Sequence, residues 1–119
     1  MLTTEEKTHA VVAALEDIKA THITVLDTSK LSPLFERMVI ASANSPRQTR
    51  ALADNVAKQL KLRGEEVLGT EGEESGEWVL VDLGEVVVHI MQPAVRAYYN
   101  LEELWNMKHL PRNVANESK

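Results

Sequence analysis

The sequence predicts a single α/β domain with a mixed four- or five-stranded sheet and flanking helices. Three observations carry this. Short β-branched runs at 22–27, 37–43 and 77–92 alternate with segments whose apolar residues recur at helical spacing. A helical segment lies between the second and third predicted strands, a crossover that favours parallel pairing. The 119 residues, 44% hydrophobic and 26% charged, suit one ordinary globular core.

Each element has a local reason. Thr3-Thr4-Glu5-Glu6 reads as a capping box, and Val11, Val12, Leu15 and Ile18 continue it as one apolar stripe. The first helix is therefore placed at about 4–20. HITVLD (22–27) is a short strand, 28–33 is Ser/Lys/Pro loop chemistry, and RMVIASA (37–43) is a second strand. Ser45 caps a second helix with Pro46 at its first position. That helix runs to about Leu62 and stops at Gly64. EVLG (66–69) is a possible short strand. TEGEESGE (70–77) is acidic, Gly-rich and without apolar residues, so it predicts an exposed loop. After Pro93, 94–99 and 101–105 read as helical, the second capped by Asn100. A polar tail follows at 106–119.

The run EWVLVDLGEVVVHIMQ (77–92) is a hairpin. A loop at Leu83-Gly84, or one from Asp82 to Glu85, pairs Val81 with Val86 and Trp78 with His89. Alternation puts Val79, Val81, Val86, Val88 and Ile90 on one face and Trp78, Leu80, Val87, His89 and Met91 on the other. The aliphatic face must be core. The Trp-His-Met face is either a second, smaller core or a docking surface, since aromatic residues, Met and Arg are enriched at interface centres.

Several function classes are disfavoured. There is no cysteine, which removes thiolate chemistry and Cys-based zinc sites. The N-terminus lacks the basic and apolar regions of a signal peptide. No apolar stretch approaches the ~20 residues that span a bilayer. A cytoplasmic protein without membrane contact is the expectation. The net charge of −5 repels nucleic-acid phosphate on average and suits a basic protein partner. His9, His22, His89 and His109 show no metal-ligand spacing, so no metal or other cofactor is expected. Ser42 and Ser45 sit in no nucleophile elbow. Asp27 and Asp82 are the residues of an alternative reading, a phosphoryl-transfer enzyme, because both end strands; the Asp-x-Asp form is missing. Arg47 and Arg50 at the start of the second helix make a weaker phosphate or RNA reading.

Together, LDTSKL (26–31), VIASANSPRQTRALADNV (39–56) and GEWVLVDLGEVVVHIMQPAVRAYYNLEELW (76–105) resemble the ribosomal silencing factor, or Iojap, family in order and spacing. ASANS (41–45) departs from the family's commoner A-T-G-T-S, and Leu83 stands where many members have Tyr. The resemblance covers about 5–105 and marks 1–105 as the family domain. It implies a nucleotidyltransferase-like fold without the catalytic residues, hence no enzyme. It also implies binding to the large ribosomal subunit through ribosomal protein fourteen of that subunit. The bound factor would block subunit joining and repress translation under nutrient limitation. Direct nucleic-acid contact would be minor, and the free protein would be a homodimer. Carried onto this chain, the family's partner-binding patch falls on Trp78, Asp82, His89, Met91, Gln92, Arg96 and Tyr99.

Overall fold

The computed structural model describes residues 1–103. Its element order is α1 (Thr4–Asp17), β1 (Thr21–Asp27), β2 (Arg37–Ser42), α2 (Pro46–Leu62), β3 (Gly69–Glu71), β4 (Trp78–Asp82), β5 (Val86–Met91) and α3 (Pro93–Tyr99). Leu104, Trp105 and the tail at 106–119 lie outside the described residues.

The helix starts follow their capping chemistry. Thr3 Oγ1 accepts from the Glu6 N–H and Glu6 Oε1 accepts from the Thr3 N–H, closing the capping box. Ser45 Oγ accepts from the Gln48 N–H, with Pro46 in the first turn of α2. α1 ends three residues before the predicted end at 20. Lys19 turns to a φ of 66°, and its N–H returns to the Glu16 carbonyl while that of Ala20 reaches Leu15. That is a Schellman stop with lysine in glycine's usual place. α2 ends the same way, with Gly64 at a φ of 83°.

The five strands form one sheet in the order β1-β2-β5-β4-β3. The parallel pair is β2 with β5. It is not β2 with the strand that directly follows α2: β3 is a short edge strand antiparallel to β4. β5, apolar except for His89, is the long strand that fills the centre beside β2.

The β4–β5 hairpin is antiparallel, with Trp78 opposite Met91, Leu80 opposite His89 and Val81 opposite Val88. The register is two residues from the predicted one. The Leu83 N–H donates to the Val86 carbonyl, so the turn centres on Gly84-Glu85. Gly84, at a φ of 91°, supplies the positive φ that the first central position of a type II′ turn requires. A shift of two preserves both faces.

α1 and α2 cover the aliphatic face. Val11, Leu15, Leu52, Val56 and Leu60 pack there against Val39, Val79, Val81, Val88 and Ile90, all without solvent exposure. The opposite face is divided. Met38, Ile40 and Met91 form a small second core, with Leu26, Phe35, Trp78, Val95 and Leu101 packed around it. Towards β4 the face is half open, and Leu80, Val87 and His89 are only partly buried.

Candidate functional site

The open part of the second face is built on the hairpin and on α3. β4 brings Trp78 and β5 brings His89 to the same face as diagonal neighbours. The Trp78 Nε1–H donates to His89 Nδ1 at 2.9 Å, and the ring centroids lie 5.8 Å apart. Burial pushes the His89 imidazole down to about pKa 4, because a half-desolvated ring disfavours the charged form. α3 follows β5 and sets Tyr99 against Trp78, centroids 4.9 Å apart. Tyr98 meets Tyr99 edge-on at 5.0 Å. The result is an aromatic row, Tyr98–Tyr99–Trp78–His89. Tyr98 remains 81% exposed and Tyr99 53%. Beside the row lies a shallow concavity of about 250 Å³ lined by Glu71, Gly72, Trp78, Leu80 and His89.

The predicted patch is thus partly surface and partly support. Trp78, His89 and Tyr99 share the row. Met91 does not face outward: it is fully buried in the second core, where it lies opposite Trp78. Gln92 donates through Nε2 to the Gly76 carbonyl and through its backbone N–H to Glu77, pinning the acidic loop beside the row. Asp82 lies at the hairpin turn, where its Oδ1 accepts from the Gly84 N–H at 2.9 Å. Arg96 spends every guanidinium donor inside the protein. Nε and one Nη of Arg96 reach the Glu102 carboxylate, and the remaining hydrogens go to the Thr24 hydroxyl, the Ser42 hydroxyl and the His22 carbonyl.

The alternative sites come apart in the fold. Asp27 and Asp82 lie at the same end of the sheet, but β2 and β5 stand between their strands. Three strand spacings separate those strands by roughly 14 Å, against the ~4 Å that a two-metal site spans. Asp27 Oδ1 accepts from Ser29 and Arg37. Among the described residues no group of three His, Asp or Glu side chains converges as for a metal. At the start of α2, Arg50 donates to the carbonyls of Glu73 and Glu74, and the Gln48 and Thr49 N–H groups are taken by Ser45. This organises the acidic loop rather than an anion cradle.

Lys7 escaped sequence reasoning. It is 5% exposed, and its three ammonium hydrogens serve the Leu83 carbonyl at 3.1 Å, Glu85 at 2.6 Å and Glu65 at 3.1 Å. Burial pushes the ammonium down, but the two carboxylates outweigh it, and its pKa is raised overall. Glu85, the acidic residue of the hairpin turn, is therefore an ion-pair partner for α1. The signal was present: Lys7 stands four residues before Val11 and seven before Ala14, on the buried stripe. Tyr98 and Leu80 also belong to the open surface, and the alternation that gave Trp78 gives Leu80.

The fold and the site together define a small mixed α/β domain with a half-open aromatic face. Residues 2–119 match the family model described as "Ribosomal silencing factor during starvation". Ribosomal silencing factor RsfS of Chromobacterium violaceum is 55% identical over 101 residues, covering 85% of this chain and 83% of that protein. Its counterpart in Haemophilus influenzae is 41% identical over 91 residues, covering 76% and 89%. A crystal structure of a C. violaceum protein superposes with a TM-score of 0.87 at 49% identity, over 96% of this chain and 92% of the other. The chain belongs to the ribosomal silencing factor family. Its relatives are named as regulatory proteins rather than enzymes. No helix among the described residues is long and apolar enough to cross a membrane.

Proposed function

We propose that this protein binds the large ribosomal subunit by seating its aromatic row on ribosomal protein fourteen of that subunit. Its bulk then blocks joining of the small subunit and lowers translation under nutrient limitation. When free it pairs with a second copy of itself. The observation that carries this reading is the Tyr99–Trp78–His89 row on a half-open sheet face. Aromatic anchors that can be fully desolvated by a partner are what concentrate binding energy at protein interfaces. The loop beside the row carries Glu71, Glu73, Glu74 and Glu77, all exposed, which favours a basic protein over RNA phosphate. We further read the fold as nucleotidyltransferase-like without a carboxylate centre, since the strands of Asp27 and Asp82 stand three positions apart in the sheet.

The test combines two measurements. Light scattering follows the association of purified subunits with and without the protein, and a photocrosslinking residue at position 80 identifies the neighbour. The reading expects slower or incomplete joining and a crosslink to ribosomal protein fourteen. Unimpaired joining at saturating protein, or a crosslink confined to RNA, would refute it.

A further inference from the structure

α3 is poorly held by packing. It has only seven residues, none of them fully buried, and helices this short do not persist without tertiary support. Yet α3 carries Tyr99 to Trp78. Val95 packs against the second core, and the polar attachment of α3 is Arg96. The guanidinium makes the bidentate pair with Glu102 at 2.8 and 2.7 Å and reaches Thr24 at 3.1 Å, Ser42 Oγ at 2.7 Å and the His22 carbonyl at 2.6 Å. The Thr24 hydroxyl in turn donates to Glu102, closing the network.

The receiving side is shaped for this. Pairing of β1 with β2 is irregular between Thr21 and Thr24. Within that irregularity His22 adopts a φ of 51°, the left-handed region that a residue with a Cβ occupies at a cost. Bulges re-aim backbone groups locally, and here the His22 carbonyl accepts from Arg96. Ser42, at the end of β2, is 3% exposed and accepts from the same nitrogen. Arginine is required by geometry: its rigid fork offers five donors in one plane, where lysine offers three at a point.

We infer, on the reading that the aromatic row is the docking face, that Arg96 is a positioning residue: it latches α3 to the β1 irregularity so that Tyr99 closes on Trp78, and it acts on the partner only through Tyr99. The Arg96 side chain is 11% exposed and has no donor left for a second molecule.

The test uses the full chain. The indole N–H resonance of Trp78, identified by its loss in Trp78→Phe, reports the Tyr99 ring above it without any partner. In Arg96→Lys that resonance is expected to move in the direction that Tyr99→Ala moves it. Affinity for isolated large subunits is expected to fall about tenfold in Arg96→Lys, a size ordinary for an interface residue. In the Tyr99→Ala background the same substitution should cost nothing further, because residues that act as one unit do not add. If Arg96→Lys fails to fold, Glu102→Gln, which weakens the latch from the other side, should move the resonance the same way. An unmoved resonance, or equal losses of affinity in both backgrounds, would overturn the assignment. Wild-type protein that ignores large subunits would sink the docking reading while leaving the resonance test of the latch intact.

Discussion

The Trp78 indole nitrogen donates to His89 Nδ1 at 2.9 Å. An indole N–H only donates, so His89 Nδ1 must carry a free lone pair and any ring proton sits on Nε2. Protonating the ring fully would place two donors face to face. The aromatic row therefore requires a neutral histidine, and burial supplies one by holding the pKa at about 4.

Stability should fall with acid because of this residue. The unfolded chain protonates His89 near pH 6.5, and the folded chain only near 4. Between those values only the unfolded state holds the proton, so lowering pH favours unfolding. The expected slope is about 1.4 kcal/mol per pH unit in that window. Urea denaturation from pH 7 to pH 4 measures it. His89→Gln, which cannot titrate, should lose that part of the slope; an unchanged slope would disprove the assignment.

Lys7 should matter far more than a surface lysine. Lys7→Met removes the donor to the Leu83 carbonyl and both carboxylate contacts. A cost of about 2 kcal/mol in chemical denaturation is expected. The pKa values of Glu65 and Glu85 are lowered, the former chiefly by the Leu2 N–H and the latter by Lys7. Their stabilisation is present above pH 4.5 and is lost as pH falls through the lower folded values. The Lys7 variant should consequently show a shallower acid transition below pH 4.5 than the wild type.

Gly72 holds the acidic loop against the start of β4. It has a φ of 88°, and a Cβ there would run into the Trp78 carbonyl oxygen. Gly72→Ala should destabilise the protein by about 2 kcal/mol through strain and backbone displacement. It should also weaken large-subunit binding, because the displaced residue is the centre of the row. Thermal melts and binding isotherms of the same preparation check both effects.

Much of this was legible in the chain, and the limits have physical causes. Thr3, Ser45, Pro46 and Gly64 act on backbone within a few residues, so both long helices could be read locally. The period-2 alternation of Val79, Val81, Val88 and Ile90 separated core from open face even though the register was off by two, because a two-residue slip leaves every side chain on its own face. What escaped depends on distant pairing. Nothing near β2 announces β5 as its parallel neighbour. Lys7 meets Glu65 and Glu85 only once the sheet is assembled. Met91 and Arg96 lie in the patch the resemblance implied, but burial and internal hydrogen bonds make them its support. The left-handed turn at His22 has no glycine or asparagine to signal it.

The proposed contact is that of the Trp78 row with the large subunit. Its most direct test is the dissociation constant of Trp78→Ala for isolated large subunits, with circular dichroism confirming the fold. A weakening of about thirtyfold or more is expected, the scale of a lost interface anchor. An unchanged constant in a folded Trp78→Ala protein would contradict it.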